Sequence, residues 1–208
     1  MKILLADDHA MVRQGIKMLL KESYPTVEII EVSNATMLQE CIADDSFNVV
    51  ITDLQMPGPL VIDVIKKLRA DGSKVPVIVL TMSAIQQSAV RVIRAGANAY
   101  ITKDNAPEEL IKALEYVLSK RRYITPEMAE LLADAYVGNT DKLPHENFSE
   151  REFQVFQLFA KGKHISEIST DLALSINTVS TYKGRIMTKL DVKSNAEIIK
   201  YAYENKLM

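Results

Sequence analysis

Short apolar segments alternate with amphipathic stretches through the first 120 residues. Runs rich in β-branched and aliphatic residues occupy 2–6, 27–32, 48–52, 76–80 and 98–101. Stretches with helical periodicity follow them, near 10–22, 34–43, 61–71, 85–95 and 107–119. Five repeats of a strand and a helix predict an α/β domain, a (βα)5 doubly wound parallel sheet with helices on both faces. We expect the strand order 2-1-3-4-5.

Beyond residue 148 the apolar positions have only helical spacing. Ser149 and Glu152 form a capping box that opens the first helix of this region. Further helices are predicted near 165–173, 176–190 and 194–205. Four short helices, two of them joined by a tight turn, indicate an all-α helix-turn-helix domain.

The pattern weakens between these two regions. A helix can open near Thr125 and run to about Val137, and the turn-forming residues 138–144 then predict a flexible connection. The sequence therefore predicts three parts: a domain over 1–120, a linker with a helix over 121–147, and a second domain over 148–208.

The composition is that of a globular protein, with 48% hydrophobic and 25% charged residues. No apolar run approaches the roughly 20 residues that span a bilayer. A single cysteine, Cys41, excludes an intramolecular disulfide and fits a cytoplasmic location. The formal charge is −4 over residues 1–147 and +2 over residues 148–208, so charge alone does not reveal a nucleic-acid-binding protein.

Polar residues stand at the ends of four of the five predicted strands. Asp7 and Asp8 follow the first strand, Asp53 the third, Thr81 the fourth and Lys103 the fifth. Open α/β sheets bind ligands at this carboxyl edge, where the strand order reverses. Since the first and third strands are neighbours in the expected order, the three carboxylates converge.

Three carboxylates in a small space repel one another unless a cation is present. Mg²⁺ prefers oxygen ligands and is often held by one or two carboxylates together with a phosphate. Thr81 can donate its hydroxyl to a phosphoryl oxygen, and Lys103 offers a positive charge to another. The set indicates a Mg²⁺-dependent phosphoryl acceptor with Asp53 as the nucleophile, although each residue alone could be a cap or a turn residue.

The segments around these residues resemble the receiver domain of two-component response regulators. They read Ala6-Asp7-Asp8-His9, Asp53-Leu54-Gln55-Met56-Pro57-Gly58, Val79-Leu80-Thr81-Met82 and Ala95-Gly96-Ala97-Asn98-Ala99-Tyr100-Ile101-Thr102-Lys103. The resemblance implies that a sensor histidine kinase phosphorylates Asp53. It also implies that Asp8, Asp53 and the Gln55 carbonyl bind Mg²⁺ directly and that Asp7 does so through water. Thr81 and Tyr100 would form the switch pair.

Two positions depart from the receiver pattern. Many relatives have a glycine shortly after the Met-Pro-Gly segment, where this chain reads Pro59-Leu60-Val61-Ile62-Asp63. Met82 stands where a small residue is common, and we expect its bulk to shield the acyl phosphate from water. Gln55 and Ser83 flank that water path.

Residues 149–207 resemble the LuxR-type helix-turn-helix of the NarL/FixJ class of regulators. The matching segments are Ser149-Glu150-Arg151-Glu152, Ala160-Lys161-Gly162-Lys163, Glu167-Ile168, Leu172-Ala173-Leu174-Ser175, Asn177-Thr178-Val179, Tyr182, Ile186 and Lys189-Leu190. The resemblance implies double-stranded DNA as a partner and a homodimer on phosphorylation, with the last helix as the usual contact between the two DNA-binding domains.

The third helix of this region has the two faces that DNA reading requires. At 100° per residue an apolar side points to the core, made of Ile176, Val179, Tyr182, Ile186 and Leu190. The predicted DNA-reading residues lie opposite or beside it: Asn177, Thr178, Ser180, Thr181, Gly184 and Thr188. Lys163, Lys183, Arg185 and Lys189 are the predicted phosphate contacts. Because this face carries little charge, we expect one monomer to bind weakly and a dimer to occupy two half-sites.

Rival functions fit the sequence less well. A phosphohydrolase of the dehalogenase type has a second aspartate two residues after its nucleophile, where this chain has Gln55. A dinucleotide enzyme needs glycines after the first strand, and none is present there. The chain is therefore expected to be a phosphorylation-controlled regulator of transcription, not a turnover enzyme. The alternative is a DNA-binding regulator whose receiver works independently of phosphate.

Overall fold

The computed structural model describes residues 1–208 except 44–46, 83–84, 138–142, 206 and 208. The chain forms two compact units, Met1–Gly138 and Asn139–Met208. Ser83 and most of the predicted flexible connection lie outside the described residues. No helix in the described part is long and apolar enough to cross a membrane.

The first unit is built on a five-stranded sheet. Its strands are β1 (Lys2–Ala6), β2 (Glu28–Val32), β3 (Val49–Asp53), β4 (Val77–Thr81) and β5 (Ala99–Thr102). The order β2-β1-β3-β4-β5 and the parallel pairing of all neighbours confirm the sequence prediction. Every residue of β3 and β4 is buried, because helices cover both faces of the sheet.

Five helices alternate with these strands. They are α1 (Ala10–Ser23), α2 (Ala35–Ile42), α3 (Val61–Ala70), α4 (Ile85–Ala95) and α5 (Ala106–Leu118). α2, α3 and α4 pack on one face of the sheet around Leu4, Val50 and Val79, whereas α1 and α5 pack on the other around Leu5, Ile51 and Ile78. Alternate residues of each strand therefore contribute to opposite cores.

The turn between α4 and β5 is fixed by an arginine. Gly96 has a φ of +109°, and a Cβ there would lie 2.6 Å from Cγ of Arg69. The Arg69 guanidinium donates to the carbonyl oxygens of Gly96 and Val75 and to Oδ1 of Asn98. Asn98 Oδ1 also accepts from the Val77 backbone N–H. These bonds align β5 with β4 and so place the end of β5 at the carboxyl edge of the sheet.

Helix α6 (Pro126–Val137) belongs to the first unit. Met128 is completely buried in the core cluster that includes α4, and Arg94 donates to the Ala135 carbonyl oxygen. The sequence predicted this helix but assigned it to a linker over 121–147. The amphipathic pattern of α6 does not identify the surface that its apolar side covers.

The second unit contains helices α7 (Glu150–Ala160), α8 (Ile165–Asp171), α9 (Ile176–Leu190) and α10 (Asn195–Glu204). The predicted capping box of Ser149 and Glu152 opens α7. Between α8 and α9 the chain turns through Ala173, with a φ of 51°, and Ser175 caps α9 by accepting from the Thr178 N–H. Val179, Ile186 and Leu190 lie in the core as expected. Ile176 does not, because it is 57% exposed in the first turn of α9.

Candidate functional site

Two buried carboxylates meet one lysine at the carboxyl edge of the sheet. Asp7 and Asp53 are 1% and 4% exposed. The Lys103 ammonium lies 2.7 Å from Oδ2 of each. The other oxygen of Asp53 accepts from the backbone N–H groups of Leu54 and Gln55, at 2.6 and 3.3 Å. The structure thus brings together Asp7, Asp53 and Lys103, which follow β1, end β3 and follow β5.

A third carboxylate stands at the open side of this cluster. Asp8 is exposed, and its Oδ1 lies 2.8 Å from Nδ1 of His9. Ligand atoms of Asp7, Asp8, His9 and Asp53 all lie within 4.8 Å of one another. His9 was not among the predicted site residues, since only the fold reveals that its ring lies beside the acidic residues.

The donor set fits a small hard cation. Asp7 Oδ2 is buried, and no group in the described part of the chain gives it a well-directed hydrogen bond, although the Lys103 ammonium is 2.7 Å away. A cation would complete its coordination. Carboxylate oxygens are ligands that Mg²⁺ prefers, and Nδ1 of His9 already lies 2.8 Å from Oδ1 of Asp8.

Burial and pairing shift the pKa values of the two residues that would handle phosphate. Burial raises the pKa of Asp53 above its usual value, although the hydrogen bond and charge of Lys103 partly oppose the shift. Burial by itself lowers the pKa of Lys103, but the hydrogen bond with Asp53 and the negative charges of Asp53 and Asp7 outweigh it, so the net pKa is raised. Lys103 therefore stays a cation at neutral pH.

Thr81 and Tyr100 form a buried hydroxyl pair beside this cluster. Both residues are 1% exposed. The Tyr100 hydroxyl forms hydrogen bonds with the side chains of Thr81 and Ser88, and burial raises the pKa of its phenol. The sequence predicted Thr81 and Tyr100 but missed Ser88, which α4 brings over the end of the sheet. Met82, the expected shield, points to solvent with 70% exposure.

A polar face of α9 is open to solvent in the second unit. Asn177, Ser180, Thr181, Gly184, Arg185 and Thr188 are all exposed. Thr178 is half-buried and bonded to Ser175, so it acts in the N-terminal cap of the helix. Arg185 lies 5.9 Å from the centre of the Tyr182 ring.

The three lysines among the predicted phosphate contacts have partners on other segments of the second unit. The Lys189 ammonium lies 2.6 Å from Oε2 of Glu152 and 3.0 Å from the Asn147 carbonyl oxygen. The Lys163 ammonium lies 2.5 Å from the Asp171 carboxylate. Lys183 lies over the Phe159 ring, 5.6 Å from its centre. Sequence spacing cannot reveal these partners, because each lies on another helix or beyond a helix end.

Comparison with known proteins identifies a family for each of the two units. Residues 3–115 match the family model of the response regulator receiver domain, and residues 146–202 match that of the bacterial regulatory proteins of the luxR family. The chain belongs to the response regulators of the NarL/FixJ class, which are phosphorylation-regulated DNA-binding transcription regulators.

Individual relatives align over almost the entire chain. It is 31% identical to the response regulator UvrY of Escherichia coli strain K12 over 206 residues, which cover 99% of this chain and 94% of UvrY. It is 33% identical to the oxygen regulatory protein NreC of Staphylococcus carnosus, over 100% and 99% of the two chains. A structure of RcsB from Salmonella enterica serovar Typhimurium, bound to promoter rprA with the phosphomimetic BeF3⁻, is 30% identical. That alignment covers 97% and 98% of the two chains with a TM-score of 0.66.

Proposed function

We propose that Asp53 accepts a phosphoryl group from a sensor histidine kinase and that this step controls DNA binding by α9. The observation that carries the proposal is the convergence of Asp53 and Asp7 on the Lys103 ammonium, with a distance of 2.7 Å to each. A cation held between two buried carboxylates is ready to contact the phosphoryl group that arrives on Asp53.

The reaction is a transfer between a phosphohistidine and a carboxylate. One oxygen of Asp53 attacks phosphorus, the bond from phosphorus to the imidazole nitrogen breaks, and an acyl phosphate forms. Lys103 then contacts a phosphoryl oxygen, and the Thr81 hydroxyl donates to another. The Leu54 and Gln55 N–H groups hold the carboxylate in place during attack.

Mg²⁺ is the proposed cofactor of this step. Asp8, Asp53 and the Gln55 carbonyl are its proposed direct ligands, and Asp7 is proposed to act through water. The ion supplies positive charge that offsets the repulsion between the carboxylates and the incoming phosphoryl group. The close set of carboxylate oxygens and the incompletely coordinated Asp7 Oδ2 support this assignment.

The output is the proposed binding of a homodimer to duplex DNA. The exposed polar face of α9 would enter the major groove, and α10 would contact its counterpart in the second copy. Half-sites would then be spaced by about one helical turn, roughly 10 base pairs, or a multiple of it. The related RcsB has been solved in complex with promoter DNA, which supports this mode for the present chain.

Labelling with acetyl phosphate and Mg²⁺ tests the input. Intact-mass measurement should show one acid-labile phosphoryl group on the wild-type chain and none on Asp53→Asn. Asp63→Asn is a matched control, because Asp63 is an exposed aspartate on α3, and it should label normally. Equal labelling of Asp53→Asn would refute the assignment. Slow loss of the label from purified protein would show self-dephosphorylation without a turnover activity.

The same samples test the connection to DNA. Phosphorylated wild-type protein should bind selected duplex sites more tightly than unphosphorylated protein, with two chains per site at saturation. Normal labelling combined with equal affinity of the two forms would favour the alternative, a DNA-binding regulator that works independently of phosphate. The intact set of Asp7, Asp8, Asp53, Thr81 and Lys103 argues against that alternative.

A further inference from the structure

Two helices carry a glycine in their interior for no reason of packing or backbone geometry. Gly15 lies in α1 and Gly184 in α9, and both are exposed. A Cβ added at either position would meet nothing within 4 Å. Neither glycine has a positive φ. Alanine stabilises such helix positions more than glycine does, so the fold alone does not favour either residue.

Gly184 lies at the centre of a helix face that carries only short side chains. Ser180 and Thr181 precede it by one turn, and Thr188 follows it by one turn. The Thr181 hydroxyl donates to the Asn177 carbonyl oxygen at 2.9 Å, and the Thr188 hydroxyl donates to the Gly184 carbonyl oxygen at 3.0 Å. These bonds hold both threonine side chains against the helix. We call Ser180, Thr181, Gly184 and Thr188 the short-side-chain strip.

The distance to which these side chains extend from the helix axis is important because of the dimensions of DNA. A helix with its side chains is about 10–12 Å wide, and the major groove is about 12 Å wide. The depth that a helix reaches is therefore set by the side chains on its leading face. Removing even a methyl group from the centre of that face brings the backbone and the neighbouring short side chains closer to the base edges.

We infer that Gly184 is a specificity-determining residue because it lacks a side chain. The inference rests on the proposed function, in which α9 reads the major groove. Because Gly184 has no side chain, the short-side-chain strip can reach the base edges. There the methyl groups of the exposed threonines and the Ser180 hydroxyl can make short contacts. Base contacts of this kind specify sequence, whereas phosphate contacts only position the protein.

The test compares Gly184→Ala and Gly184→Leu with Gly15→Ala in the full chain. Duplex sites are first selected from a random pool with phosphorylated wild-type protein. Gly184→Ala should raise the unfolding temperature of the second unit by roughly 4 °C, because alanine is the better helix former. It should nevertheless weaken binding to the selected sites about tenfold, and Gly184→Leu should weaken it further. Binding to random duplex should change less.

Gly15→Ala is the matched control for helix propensity, and it should raise the unfolding temperature of the first unit while leaving DNA affinity unchanged. Undiminished affinity of Gly184→Ala for the selected sites would overturn the inference. A fall in its unfolding temperature would also overturn it, since glycine would then be needed by the fold. If the wild-type chain itself selects no sites, the proposed function fails, which is a separate result.

Discussion

The carboxylate site of the first unit and the exposed face of α9 use charge in opposite ways. At the sheet edge, Lys103 lies between the buried Asp7 and Asp53, so each of these charges has a partner from a distant part of the chain. On α9, the exposed face carries short side chains and little charge, and most nearby lysines are bound to groups of the same unit. The first site is thus organised before its ligand arrives, whereas the second offers shape and a few hydrogen-bonding groups.

This contrast distinguishes two roles of a basic residue. A lysine that holds carboxylates together stabilises the folded unit, and a lysine or arginine without such partners is available for phosphate. The position of Lys189 on a helix suggested the second role, but its contacts with Glu152 and the Asn147 carbonyl indicate the first. Replacing single charged or shielding side chains distinguishes these roles.

The largest effect is expected from Lys103→Met. Removing the ammonium leaves the buried Asp7 and Asp53 carboxylates facing each other, and breaking a buried ion pair in this way costs about 3 kcal/mol or more. Urea unfolding without metal should show this loss. Added Mg²⁺ should restore much more stability to the variant than to the wild type, since the ion replaces the missing charge.

The control for that experiment is Lys66→Met. Lys66 is exposed and lies 3.5 Å from Asp63 on the surface of α3, where an ion pair contributes little. Its loss should change stability by less than about 0.5 kcal/mol. Equal effects of the two substitutions would show that the carboxylate site does not depend on Lys103.

Lys189→Met should have the next largest effect. It should lower stability and leave DNA binding unchanged. Glu152 is 3% exposed, and without the ammonium its carboxylate loses a charged partner at a cost of about 2 kcal/mol. Urea unfolding should show this loss. The dependence of DNA affinity on salt should keep its wild-type slope. A slope reduced by one unit at unchanged stability would instead make Lys189 a phosphate contact.

The same pair predicts an acid dependence. Burial raises the pKa of Glu152, but its hydrogen bonds with Lys189 and Ser149 outweigh burial and lower the pKa below its usual 4.5. A lowered pKa in the folded state means that the carboxylate contributes stability above about pH 4.5 and that this contribution is lost as the pH falls further. Stability measured in the Lys189→Met variant should show less of this loss, because less of the contribution remains.

Arg185→Gln should have a smaller effect, and on binding alone. Arg185 is exposed, and its guanidinium has only the Tyr182 ring nearby, at 5.9 Å, among the contacts described for it. If it contacts a phosphate, its loss should reduce the salt slope of DNA affinity by about 0.9 and leave the unfolding free energy unchanged. Wild-type salt dependence of the variant would mean that no phosphate contact comes from this position.

Met82→Gly is expected to give the smallest effect. The acyl phosphate decays by attack of water, and we expect Met82 to shield it, although its 70% exposure places the side chain in solvent in this structure. Removal of the side chain should speed dephosphorylation a few-fold, measured as loss of label over time. A rate equal to that of the wild type would exclude Met82 as a shield of the acyl phosphate.

The sequence determined the first site more completely than the second, for a physical reason. Asp7, Asp53, Thr81 and Lys103 stand at strand ends, and the parallel topology alone brings strand ends to one edge. Ser88 was missed because it lies on a helix, whose rotation about its axis depends on packing. Ile176 was misplaced on α9, and the partners of Lys189 were not foreseen. Helical periodicity gives the direction of a side chain but not the neighbour that covers it or the acid that it meets.

The buried pair of Thr81 and Tyr100 has a consequence for the inactive regulator. The Tyr100 phenol is buried and bonded to the Thr81 hydroxyl, the group that is proposed to donate to the phosphoryl group. A modification can shift the population of two states only by its difference in affinity for them, and a change from 1:99 to 99:1 requires about 5.5 kcal/mol. Exchanging this hydrogen bond for one to a phosphoryl oxygen contributes only about 0.5–1.5 kcal/mol toward that free energy. Transcription under the control of this regulator is therefore expected to be leaky, with a measurable basal level in cells that lack the kinase.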